Sequence, residues 1–178
     1  MSAPETSGVL SQYGIGCQAD SSIASMTARI RLSCYQMTDV RTGRHACFDR
    51  LVVDVADLAT AVSVRYVARV AAPGPVDVGL AGRARLLVEI DDGIDPAAPF
   101  YSRTRPAGDD TTYRVADVSR FRTLREVRWL GSMHPTQFEV GVRARLPFRV
   151  VVVSGPGGGS RLVVDVAHQW CAPGARSC

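Results

Sequence analysis

His45, Asp49 and Asp39 fall within eleven residues of one another, and an imidazole beside carboxylates is the minimal set for general acid–base work. Ser and Cys side chains are present as nucleophiles, but no spacing arms them. There is no Gly-x-Ser-x-Gly elbow, no His-Glu-x-x-His, and no cysteine with a companion histidine in a recognisable setting. His45 therefore reads first as a structural hydrogen-bonding residue, and a secreted enzyme or chaperone-like factor with a site near His45 and Asp49 is the alternative. His168, ending a strand beside Trp170, is expected to pack or cap, and His134, beside Pro135, to be exposed. A different chemistry is offered by Tyr101, Arg103, Arg105, Tyr113 and Arg114. Aromatic faces suit sugar rings, and guanidinium groups suit carboxylate or phosphate. Together with His45 and Asp49 these are the candidate ligand-binding residues.

All 21 basic residues are arginine, and Asp outnumbers Glu by 13 to 4. Without lysine there is no phosphate-loop lysine, no protein-kinase strand lysine and no Schiff-base chemistry, so no cofactor is expected. A formal charge of +4 suits an anionic partner. The arginines alternate with apolar residues instead of forming runs, however, and no nucleic-acid motif occurs, so the bland reading is a solvated sheet face. The cysteines at 17, 34, 47, 171 and 178 form no CxxC pair, and His45 with Cys47 falls short of a four-ligand zinc site. Disulfides account for them better. Cys34 and Cys47 would meet across a hairpin turning at Thr42-Gly43, worth about 3 kcal/mol in the chain-entropy model. Cys171 and Cys178, flanking Pro173-Gly174, form a second pair, with Cys17–Cys171 left open. Such bridges imply an oxidising, extracytoplasmic setting. Residues 1–20 show neither a basic n-region nor a continuous apolar h-region. Either a leader has been removed, or the protein is cytoplasmic with reduced cysteines.

The elements that must position these groups are strands. The 178 residues include 24 Val, 16 Gly and 10 Pro, and no helical period is sustained over three turns. With 46% apolar and 21% charged residues the chain suits one globular core and contains no transmembrane segment. A flexible segment is expected over 1–24, an antiparallel β-sandwich over 25–171 and a tail over 172–178. Strands are expected at 27–34, 39–41, 51–55, 64–70, 76–78, 84–90, 126–130, 137–143, 148–153 and 162–167. Alternation turns Leu86, Val88 and Ile90 inward, and Arg83, Arg85 and Glu89 outward. It likewise buries Phe138, Val140 and Val142 and exposes Gln137 and Glu139. Val150 to Val153, apolar on both faces, reads as a central strand. Trp129, in phase with Val127, is expected in the core. Residues 91–124 form a long irregular loop with one short helix over 115–121, and 154–160 form a hairpin turn. The heptapeptide Arg-Leu-Val-Val-Asp-Val-Ala occurs at both 50–56 and 161–167. It reads as equivalent strands, in facing sheets, with Asp54 and Asp165 outward and paired with arginines, each exposed pair worth about 0–1 kcal/mol.

Several phrases in order resemble one family. They are Arg41-Thr42-Gly43-Arg44-His45, Phe48-Asp49-Arg50-Leu51-Val52, Val64-Arg65-Tyr66-Val67, Arg125-Glu126-Val127-Arg128, Pro147-Phe148-Arg149-Val150, and Arg161-Leu162-Val163-Val164-Asp165-Val166-Ala167-His168. Over about residues 38–170 the chain resembles the AMIN-like domain, a family found chiefly in actinobacterial exported proteins and lipoproteins. The resemblance implies a β-sandwich and a cell-envelope setting, by relation to AMIN domains that localise cell-wall amidases, and it carries no catalytic residues over. Where the family tends to show a Gly-Asp-Phe-Glu-Gly-like turn, this chain has Gly131-Ser132-Met133-His134-Pro135. The expected function is a non-catalytic envelope-associated binding module for cell-wall polymer or an envelope protein, with a structural protein-association module as a further alternative.

Overall fold

The computed structural model describes residues 26–28, 36–55, 61–68, 79–91, 93–94, 113–133 and 135–170. Valine-rich segments take up strand conformation because branched side chains pack well on a pleated surface, and each strand's apolar face then requires a second sheet to cover it. The strands are β1 (Met26–Ala28), β2 (Gln36–Arg44), β3 (Phe48–Val55), β4 (Val62–Val67), β5 (Ala84–Ile90), β6 (Gly93–Ile94), β7 (Tyr113–Arg114), β8 (Leu124–Met133), β9 (Thr136–Val142), β10 (Phe148–Ser154) and β11 (Ser160–Ala167). They form two sheets, ordered β1-β4-β5-β9-β8-β7 and β10-β11-β3-β2-β6. All pairings are antiparallel except the short β2–β6 contact. The result is the expected β-sandwich.

The core lies between the sheets. Leu86, Val88 and Ile90 of β5 lie beside Phe138 and Val140 of the neighbouring β9 on one sheet face, and β8 adds Val127 and Trp129, all nearly or wholly buried. The facing sheet contributes Leu51, Val53 and Val55 from β3 with Leu162, Val164 and Val166 from β11. Each fully buried large side chain here, Phe138 or Leu51 for example, is worth about 1.5–3 kcal/mol in transfer free energy.

Several expectations need correction. Glu139 is buried, held by Arg85 at 2.8 Å, because the outward face of β9 is itself partly covered. Val150 to Val153 do not form a central strand. β10 lies at the edge of its sheet, with Val153 41% exposed. Thr42 and Gly43 are inside β2, so the chain reverses at 45–47 instead. Residues 115–121 are turn and bend; the only helical element among the described residues is a 3-10 turn at Pro156–Gly158, inside the hairpin joining β10 to β11. The strand expected at 76–78 lies outside the described residues, as do the segments 1–25 and 171–178.

One close approach fixes the segment leading into β5. A Cβ on Gly141 would stand 2.0 Å from the carbonyl oxygen of Ala81, and one on Gly82 2.6 Å from that of Val142. Gly82 also has φ = 118°, which side-chain-bearing residues rarely adopt. The backbone of 80–82 thus lies directly on β9, secured by Arg83 N donating to Val142 O at 2.9 Å. Gly141→Ala should therefore destabilise the domain by about 3 kcal/mol, as overpacking against backbone does, read as a lower urea midpoint at unchanged slope.

Candidate functional site

The repeated heptapeptides are neighbours in one sheet, a correction to their expected placement in facing sheets. β3 and β11 pair antiparallel so that Arg50 lies opposite Asp165 and Asp54 opposite Arg161, with Val52 opposite Val163 between them. Each aspartate then receives a second arginine from the strand beyond. Asp165 is held by Arg50 at 2.6 Å and by Arg149 of β10 at 2.8 Å. Asp54 accepts from both Nε and Nη2 of Arg41 of β2, at 2.8 and 2.9 Å, and from Arg161 at 3.0 Å. Valines run between these two clusters, since Val151 of β10 lies opposite Val163. The outer face of the five-stranded sheet is thus a valine row bordered by two Arg–Asp–Arg clusters. The aspartates face outward as expected, but Asp165 is wholly buried beneath its arginines, so its removal would cost more than an exposed pair.

At one end of this face stands an aromatic ledge. Phe48 carries the guanidinium carbons of Arg50 and Arg149 at 5.1 and 5.5 Å from its ring centroid, and the exposed His45 ring stacks on it at 4.4 Å. Arginines over an aromatic ring are attracted by its quadrupole, which helps hold their donors in place.

Asp49 and His45 do not meet in a common acid–base site. Asp49 alternates with Leu51, Val53 and Val55 on the inward face of β3 and is fully buried. Its Oδ2 accepts from the backbone N–H groups of Thr123 at 2.5 Å and Leu124 at 3.1 Å, across the sandwich, and its Oδ1 lies 3.1 Å from His168 Nε2. The other ring nitrogen of His168 meets Ala46 O at 3.1 Å, and its backbone N–H donates to Cys47 O. His168 is therefore packed as expected, and the pair holds the 45–47 turn on which the ledge sits.

The remaining candidates are dispersed. Tyr101, Arg103 and Arg105 lie outside the described residues, and Tyr113 is placed only as a residue of β7. Arg114 is exposed and pairs with Glu126 at 2.9 Å, on the other sheet. Cys47 is a free thiol, so the bridge expected to Cys34 is not shown; Cys34, Cys171 and Cys178 lie outside the described residues. Sequence reasoning missed Phe48, Arg50, Arg149, Arg41 and Arg161 as parts of one face. The signal was available in the repeat, whose first-position Arg and fifth-position Asp are complementary only when the copies run antiparallel.

Glu126 organises the opposite sheet. Burial pushes its carboxyl upward, but hydrogen bonds from Arg128, Ala81 N–H and Arg114 outweigh this and hold it below the usual 4.5. Arg128 also donates to Gly79 O at 3.1 Å, so the pair clamps the 79–81 segment from both ends.

Compared with known protein families, the chain matches the AMIN-like domain over residues 35–168. No curated protein matches it. Among the described residues no helix is long and apolar enough to cross a membrane.

Asp49→Ala should cost about 3–5 kcal/mol, since it leaves two buried N–H groups and an imidazole without their acceptor. Asp49→Asn should cost distinctly less, because the amide oxygen can still accept from Thr123 and Leu124 while its NH2 donates to His168 Nε2. Chemical denaturation of the three proteins checks this order. Because the folded value of Glu126 is depressed, its stabilisation is complete above the unfolded value and is lost as pH falls through the folded one. Stability should thus decline on acidification below about 4.5, and Glu126→Gln should flatten part of that decline, with Glu89, likewise lowered by Arg65 and Gln137 against its burial, supplying another part.

Proposed function

We propose that this chain, which belongs to the AMIN-like domain family, is a non-catalytic, envelope-associated module that binds cell-wall polymer through the outer face of its five-stranded sheet. Family membership supports an extracytoplasmic, envelope-associated setting. The observation that carries the reading is the pair of Arg–Asp–Arg clusters on either side of Val52, Val163 and Val151, with the Phe48–His45 ledge at one end. At the Arg50–Asp165–Arg149 cluster two guanidiniums share one carboxylate, while Asp39, opposite Asp54, adds a second carboxylate beside Arg41 and Arg161. The positive character that suits a carboxylate or phosphate on a ligand is thus concentrated at the Arg50–Arg149 end. Arginine remains protonated, so these groups can bind and orient but supply no proton for transfer. The aspartates fix the arginines in place before a partner arrives, which reduces the ordering cost of binding. An envelope protein with an acidic, extended surface is the second reading, favoured by the half-buried Val52 and Val151 and the exposed Val153 at the β10 edge, which such a partner could cover.

The test is sedimentation of the folded protein with insoluble actinobacterial cell wall across a salt series. Retention that weakens as salt rises is expected. The double variant Arg41→Ala/Arg149→Ala, which leaves each aspartate one arginine, should lose about tenfold in retention, equivalent to about 1.4 kcal/mol. Undiminished retention by the folded variant would exclude this face, and no retention of the unaltered protein would turn the assignment to the protein partner.

A further inference from the structure

We infer that the six-stranded sheet carries a second site, a groove that takes a polymer-borne oxyanion, phosphate or carboxylate. The groove is open, about 370 Å³ in volume, and lies between the end of β4, residues 80–85 and the turn after β9. Its polar lining is Tyr66, Arg83, Arg85 and Arg145, with Leu80 and Gly82 forming part of the wall. Arg85 is neutralised by Glu139 at 2.8 Å. Arg83 and Arg145 have no carboxylate partner among the described residues, so the groove keeps two uncompensated guanidiniums. Elsewhere in the sheets Arg41, Arg50, Arg65, Arg114, Arg128, Arg149 and Arg161 are paired with acids, whereas Arg125 bonds backbone carbonyls and Arg44 shows no acid partner among the described residues.

These two cations are borne on rigid walls. The hydroxyl of Tyr66 donates to Leu146 O at 2.7 Å and accepts from Leu146 N at 3.0 Å, which fixes the backbone next to Arg145. Trp170 Nε1 donates to the carbonyl of Arg145 at 3.0 Å, and the Arg145 guanidinium lies 5.3 Å from the Tyr66 ring centroid. On the other side Arg83 follows the segment pressed onto β9 at Gly82 and Gly141 and clamped by Glu126 and Arg128. The Arg145 guanidinium is held over Tyr66 while Arg83 projects from an anchored backbone, and each offers a planar donor fork suited to an oxyanion. The site goes beyond the sheet-face reading and stands apart from it in residues.

The experiment titrates the full chain, by calorimetry, with poly(glycerol phosphate) and separately with poly-glutamate. Binding of one or both is expected, and the preferred polymer identifies phosphate or carboxylate as the source of the oxyanion. Arg83→Ala/Arg145→Ala should weaken it by about tenfold or more, while Arg83→Lys/Arg145→Lys recovers part of the loss. Arg120→Ala/Arg122→Ala, which removes two exposed arginines elsewhere, should change affinity less than about twofold. The alanine substitutions leave the backbone bonds of residues 83 and 145 in place, and circular dichroism checks the fold. Equal losses from both doubles, no loss from the groove double, or no binding of either polymer would overturn the site. The Arg41/Arg149 variant in the same titration separates this outcome from that of the sheet face: each set of arginines can fail while the other holds.

Discussion

The carboxylate of Asp49 ties the two layers together. It sits on the core side of β3, where a charge has no business unless every lone pair is used, and it accepts from two amides at the start of β8 and faces the imidazole of His168 at the end of β11. Around it, Thr123 Oγ1 donates to Ala167 O, the backbone N–H of Arg143 donates to Thr123 O, and the Arg143 side chain reaches His168 O. Apolar packing holds sheets face to face but is tolerant of sliding; directed bonds are not. The clasp therefore sets how one sheet is placed on the other at this end, and through Ala46 and Cys47 it also sets the turn that carries His45.

The opposite, outward side of the same strand shows what happens when charge is placed where water can still reach part of it. Arg50 and Asp54 follow the same alternation that sends Leu51 and Val53 inward, and they find their partners on β11 and the flanking strands instead of across the sandwich. A single eight-residue strand thus spends its inward polar group on the fold and its outward ones on a surface. The arginines of that surface are ordered by aspartates and by the Phe48 ring, so its shape is set in the free protein.

Where alternation was clean, the residues alone placed the faces correctly: Leu86, Val88 and Ile90, and Phe138, Val140 and Val142, all turn inward because their sheet has one apolar side. Val150 to Val153 carry no alternation, and four valines in a row serve as well at an edge as at the centre. Asp49 was in phase with Leu51, Val53 and Val55, a parity that marks it as inward, but its chemistry suggested a reactive group and its partners lie 74 to 119 residues away. No local spacing encodes contacts at that separation. The repeat was visible as a repeat, whereas its pairing required knowing that the copies run in opposite directions side by side. The AMIN-like resemblance was carried by just these phrases, which is why family and architecture emerged from the sequence while the surface arrangement did not.

The antiparallel match of two identical segments gives the sheet face a local dyad. Its axis passes between Val52 and Val163, and rotation about it exchanges Arg50 with Arg161 and Asp165 with Asp54. The flanking strands break the symmetry, since Arg149 opposite Asp165 corresponds to Asp39 opposite Asp54, and Arg41 opposite Val52 to Val151 opposite Val163. Across all four strands the two ends therefore differ, one reading Arg149, Asp165, Arg50 and the other Arg161, Asp54, Asp39. A chain molecule lying along this patch would meet an arginine at one end where it meets an aspartate at the other, so the flanking strands make the patch sensitive to polymer polarity. The aromatic ledge, standing at the end that carries Arg50 and Arg149, gives the face a direction of the same sense.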